Sequence, residues 1–144
     1  MQFNRFTEQD IQHFNALMPG RVFSGDAISS DYTHDEMTIY GHYMPDCVIQ
    51  ALTTQEVSAV LKYCNDRKIA VTPRGAGTGL CGGCVAIHGG VVLSTEKMKK
   101  VLEVDVKNMT ATVEPGVLLM EFPKALEGTG LFYPPDHLMP SLMP

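Results

Sequence analysis

The chain has 144 residues, enough for one domain and too few for two well-formed ones. Its hydrophobic fraction of 44% is ordinary for a globular protein, and the formal net charge of -5 comes from interspersed acidic and basic residues. No basic stripe marks a nucleic-acid binder, no apolar run approaches the roughly 20 residues that span a bilayer, and the polar N-terminus lacks the apolar core of a secretory signal. The default compartment is therefore the cytosol, where Cys47, Cys64, Cys81 and Cys84 are expected as free thiols.

In chain order, Thr7 and Asp10 have the spacing of a capping box, with Phe6 and Ile11 as a staple pair, and predict a helix to about Met18. Pro19-Gly20 ends it. Residues 19 to 44 show no period and are expected to be irregular, with one short helical turn. Cys47 to Ala51 reads as a strand. Thr53 and Glu56 form a second capping box, and Val57, Val60, Leu61 and Cys64 recur at helical spacing behind it. Ile69 to Thr72 is a second strand, so the three elements form a βαβ unit of a parallel sheet. Val91-Val92-Leu93 is a third, buried strand. Val101 to Val104 and Thr110 to Glu114 alternate as a hairpin around a turn at Asp105 to Asn108. A helix over about Leu119 to Glu127 follows, with Pro123 tolerated only in its first turn, and Gly128 and Gly130 stop it. The tail repeats Leu-Met-Pro at 138–140 and 142–144 and carries no chemistry that the residues assign.

The most informative segment lies between the second and third strands. Gly75, Gly77, Gly79, Gly82 and Gly83 fall within nine residues directly after a strand. Phosphate needs several backbone N–H donors at close range, and glycine permits both that approach and positive φ. In open α/β sheets, ligands bind beyond the carboxyl ends of strands. Gly77 to Gly82 fits G-x-G-x-x-G, but the dinucleotide fingerprint requires a helix opening at the loop, and Cys84 to His88 is too short for one. The Gly-Lys-Ser/Thr ending of nucleotide triphosphatases is absent. What remains is a loop between two strands that holds phosphate through its backbone. The competing reading is an empty glycine-rich connector.

Several ordered motifs then resemble one family. Val71-Thr72-Pro73-Arg74-Gly75-Ala76-Gly77-Thr78-Gly79-Leu80 is similar to the cofactor loop of FAD-dependent oxidoreductases of the vanillyl-alcohol oxidase and p-cresol methylhydroxylase type, nearest the glycolate oxidase FAD subunit and the D-lactate dehydrogenases. Asp31 to Glu36, Pro45 to Thr54, Gly89 to Leu93, Thr112 to Val117 and Tyr133 to Asp136 resemble further landmarks, so the likeness runs from about residue 25 to 136. It implies an α+β (α/β-like) fold: a small parallel sheet flanked by helices, plus the start of an antiparallel-strand subdomain. Residues 1–44 would precede the FAD-binding domain, 45–136 would be its N-terminal part, and 137–144 an atypical tail. The resemblance implies FAD with its pyrophosphate held by residues 75 to 80, contributions from Pro73, Arg74, Gly82 and Gly83, and Pro134, Pro135 and Asp136 along the flavin side. It also implies oxidation of a 2-hydroxy acid, the α-hydrogen passing to the flavin as a hydride equivalent and the electrons leaving to an acceptor other than nicotinamide.

The sequence departs from that family in two places. The second half of the cofactor domain and the substrate domain do not follow His137, and no residue stands out as a general base. A truncated or frame-disrupted N-terminal piece, inactive alone and self-associating through exposed apolar surface, is the expectation; the alternative is a non-catalytic nucleotide-binding or interaction fragment with an empty loop. Cys81-Gly82-Gly83-Cys84 stands where the family has small residues. A zinc site needs four ligands, and Cys47 and Cys64 do not supply a second pair. No histidine lies between residues 74 and 83, so the FAD is expected to be non-covalent. Arg74 is open to two roles, a charge near the phosphates or a partner for a carboxylate such as Asp46. Asp136 is either a cofactor contact or a turn former.

Overall fold

The computed structural model describes residues 2–134. They divide into two compact units, one ending at Met98 and the other beginning at Lys99. Among the described residues no helix is long and apolar enough to cross a membrane.

The first unit opens with α1 (Glu8–Leu17). Its start is fixed by Asp10, whose Oδ2 accepts from both the backbone N–H (2.8 Å) and the hydroxyl (2.6 Å) of Thr7. Phe6 stacks on Phe14. Strand β1 (Val22–Ser24) and three 3-10 turns, Gly25–Ala27, Ser30–Thr33 and Thr38–Tyr40, follow. This replaces the irregular segment expected there. A three-residue strand shows no readable period, and its place is set by pairing antiparallel with the next strand, Val22 opposite Ile49.

Strand β2 (Cys47–Gln50) leads into α2 (Thr54–Arg67), capped by the Thr53 hydroxyl oxygen, which accepts from the Glu56 N–H at 3.2 Å. The Glu56 carboxylate turns outward to the Leu52 N–H and to both guanidinium nitrogens of Arg21. Lys68, in the left-handed conformation at φ 56°, closes the helix. Of the four residues expected on its apolar face, Val60 and Cys64 are buried, whereas Leu61 is exposed. Strands β3 (Val71–Arg74) and β4 (Val91–Ser94) complete a sheet in the order β1-β2-β4-β3, in which β2, β4 and β3 run parallel and β1 antiparallel. β4 thus lies between the two strands of the βαβ unit.

Side chains alternate across the sheet. Cys47, Ile49, Val91 and Leu93 point to a core that includes Phe14 and Met18 of α1 and Val60 and Cys64 of α2. Val48 and Val92 point the other way, to Ile28, Ala86, Phe23 and Tyr32. With both faces covered, the inner strands β2 and β4 read as nearly continuous apolar runs. Gly90 lets β4 enter: at φ 71°, a Cβ there would overlap the Ala70 carbonyl oxygen.

The second unit holds the antiparallel hairpin β5 (Val101–Asp105) and β6 (Thr110–Val113), with Asn108 bonded to Asp105 across the turn. Helix α3 (Phe122–Ala125) is four residues, much shorter than the expected 119–127. Leu118 to Glu121 is spent on turns, Pro123 sits at the second helical position with no N–H to donate, and Gly128 and Gly130 take positive φ beyond. The hairpin and α3 line an apolar cavity of about 380 Å³ that includes Val104, Val113, Phe122, Leu126 and Phe132. Among the described residues, its lining carries no charged side chain suited to phosphate.

Candidate functional site

The glycine loop leaves the carboxyl end of β3 and returns to β4. Pro73 lies in β3, an edge strand, where its missing N–H interrupts no central ladder. Gly75, Ala76, Thr78, Gly79, Leu80 and Gly83 are exposed. A Cβ added at Gly75 or Gly83 would meet no atom within 4 Å, so open space lies beside both. Gly77 takes φ 83°, and its bare Cα is crossed by the Arg74 guanidinium, into which a Cβ would intrude. Among the described residues, the backbone N–H groups of 75 to 81 find no acceptor in the protein. A run of unpartnered amides on an exposed loop that turns at positive φ at Gly77 is the kind of backbone that can hold an anion.

Arg74 is folded inward beneath this loop and only 8% exposed. Its Nη1 donates to the His34 carbonyl at 2.7 Å and to Cys84 Sγ at 3.3 Å, and its Cζ lies 5.4 Å from the Tyr32 ring centroid. It pairs with no carboxylate among the described residues. Asp46, the partner weighed from sequence, instead accepts from the Gly90 N–H at 2.7 Å. A buried cation without an anionic partner is costly unless an anion joins it. The positive charge and the free amides therefore converge on one loop.

Gly82 differs from the other loop glycines. Its N–H donates to Asp35 Oδ2 at 2.7 Å, and at φ 70° a Cβ there would lie 2.8 Å from Tyr40 Cγ. Asp35 was singled out by sequence only as part of a resembling segment; its contact spans 47 positions, and no local spacing announces it. Of the later landmark, Pro134 is exposed in the second unit, and Pro135 and Asp136 lie outside the described residues.

Cys81 is exposed and Cys84 half-buried, whereas Cys47 and Cys64 sit in the core with thiols pushed up to about 12, chiefly by burial. Such thiols stay protonated and unreactive. Among the described residues no cluster of three or more histidines, cysteines or carboxylates is arranged to hold a metal.

The fold is that of solved flavoenzyme-type neighbours. It superposes on p-cresol methylhydroxylase with substrate bound at TM-score 0.70 and 26% identity, over 81% of this chain and 23% of that one. It also superposes on alkyldihydroxyacetonephosphate synthase at TM-score 0.74 and 19% identity, over 88% and 26%, a likeness of fold alone. Residues 45–142 match the FAD binding domain family, and the chain belongs to it. FAD is the cofactor of this domain, as the ordered motifs implied, and the α+β fold class stands. The chain is 48% identical to a D-lactate dehydrogenase of Anaerostipes hadrus over 135 residues, 94% of this chain and 28% of that protein. It is 45% identical to glycolate oxidase subunit GlcD of Bacillus subtilis (strain 168) over 105 residues, 73% and 22%. The chain thus spans about a quarter of the length of these relatives.

Proposed function

We propose that residues 73–83 form the pyrophosphate cradle of a flavin-dependent 2-hydroxy-acid oxidoreductase, of the kind that acts on glycolate or D-lactate. The observation that carries this reading is the run of unpartnered amides from 75 to 81 over a buried Arg74 that no carboxylate neutralises. Gly75, Ala76, Gly77, Thr78, Gly79 and Leu80 donate through their backbone, and Gly83 leaves open space beside the group. Pro73 sets the strand end. Arg74 contributes charge from below while its hydrogen bonds to His34 and Cys84 keep it in place. Gly82, its amide already engaged, anchors the loop.

Bound FAD supplies the electron acceptance for oxidation of the hydroxy acid; the residues here bind it and hold it still. The 2-hydroxy acid is supported by the names of the two relatives above. Pro134, Pro135 and Asp136 are assigned to the flavin side on the resemblance alone. The division at residue 45 is supported by the start of the family match. The FAD is non-covalent in this reading, since no histidine stands in the loop, and a cytosolic location goes with it.

Fluorescence quenching of FAD on titration with the chain tests the reading. Saturable quenching that is competed by ADP and not by adenosine supports it. Quenching that adenosine competes equally well, or none at millimolar chain, rejects it.

A further inference from the structure

We propose that Asp35 is the positioning residue of the glycine loop: its buried carboxylate fixes the loop in the shape that receives a diphosphate. This rests on the reading of that loop as an FAD cradle, yet the observations are separate. A glycine-rich loop loses more backbone freedom on ordering than other chains do, so contacts from outside must hold it. Among the described residues, apart from the bonds of Arg74 to Cys84 Sγ and of the Val85 N–H to the Gly82 carbonyl at the loop's own ends, the tie points between Arg74 and Val85 come from one short stretch. Asp35 Oδ2 accepts from the Gly82 N–H at 2.7 Å, and the Glu36 N–H donates to the Gly79 carbonyl at 3.2 Å. The Tyr40 ring lies against Gly82.

That stretch is itself closed. The Tyr43 N–H donates to the Thr33 carbonyl at 2.8 Å, and the Thr33 hydroxyl contacts Nδ1 of both His34 and His42 at 3.2 Å. Asp35 Oδ1 accepts from the Met37 N–H at 2.9 Å, and the residue is 3% exposed. Both carboxylate oxygens are thus committed to backbone donors, one on each side of the junction. Asp35 occupies one amide of the nest with a resident anion and leaves the preceding amides for the ligand. It lies outside residues 45–142, so the segment before the FAD-binding family match helps to build the site.

The test compares amide hydrogen exchange at Gly82 and Glu36, the two amides whose bonds tie the loop to this stretch, in the ligand-free chain, wild type against Asp35→Ala, with FAD affinity measured alongside. The expected result is exchange at Gly82 faster by about tenfold or more, the order of a lost charge-assisted hydrogen bond, with Glu36 following as the loop loosens and β2 and β4 unchanged. FAD affinity falls by a similar factor. Asp35→Asn keeps one acceptor for two donors and is expected to restore part of both; it also serves if the alanine variant does not fold. Unchanged exchange at Gly82 and Glu36 in both variants overturns the proposal, as does a uniform rise across the sheet. A loosened loop in a chain whose wild type binds no FAD would sink the cradle reading and leave the hold of Asp35 on the loop standing.

Discussion

At the scale of single residues, Gly77 is where backbone conformation bears most directly on the proposed cradle. Its φ of 83° strains any other residue by about 1–2 kcal/mol, and a side chain would displace the Arg74 guanidinium. Gly77→Ala is therefore expected to lower the stability of the ligand-free chain by about 1–2 kcal/mol and to weaken FAD binding several-fold through the displaced Arg74. An affinity unchanged within twofold would show that the loop conformation is not used. Asp10 illustrates a different economy. It is fully buried; burial alone would raise its pKa, but hydrogen bonds from Thr7 and Tyr63 and the charge of Arg67 hold it below its ordinary 3.8. A carboxyl lowered in the folded state stabilises above its unfolded pKa, and that contribution fades as pH falls through the folded value. Asp10→Asn should cost about 1–3 kcal/mol at pH 7, with the gap to wild type narrowing below about pH 4. Urea denaturation at pH 7 and pH 3 measures this; a gap of constant size would contradict the assigned network.

At the scale of elements, the sheet depends on the sharp entry into β4. The Gly90 carbonyl accepts from the N–H groups of Asp46 and Cys47, at 2.9 and 3.1 Å, and its N–H is held by Asp46. Gly90→Ala would place a methyl group in the Ala70 carbonyl oxygen, a backbone atom that cannot rotate away. Its expected cost is about 2 kcal/mol or more, seen as a lowered denaturation midpoint; a neutral substitution would mean that β3 and β4 part easily there. Most elements could be read from sequence because capping and periodicity are local signals. Thr53 and Glu56 placed α2, and the apolar runs at Cys47 and Val91 placed two central strands. Strand β3 begins two residues later than its apolar run, since pairing with β4 recruits Pro73 and Arg74. β1 was invisible because three residues carry no period, and α3 was overread because the leucines and methionine at 118–120 belong to turns. Asp35 was illegible in role because its partner is distant in sequence.

For the molecule as a whole, the same division holds. Five glycines after a strand made the loop legible as a candidate phosphate cradle, and the ordered motifs around it were specific enough to give the family. What sequence could not give was the packing beneath that loop, where Arg74 turns inward and Asp35 and Tyr40 grip Gly82. In the proposed cradle these contacts order the loop before ligand arrives, so that binding would fill amides already in place and little backbone freedom would remain to be lost. The direct measurement is a residue-resolved amide chemical-shift titration of the chain with FAD, with ADP and adenosine in parallel. FAD and ADP are predicted to shift the amides of residues 75–81 along a common direction, and adenosine to leave them unmoved. FAD that binds while those amides stay still would contradict the assignment of this loop as the pyrophosphate cradle.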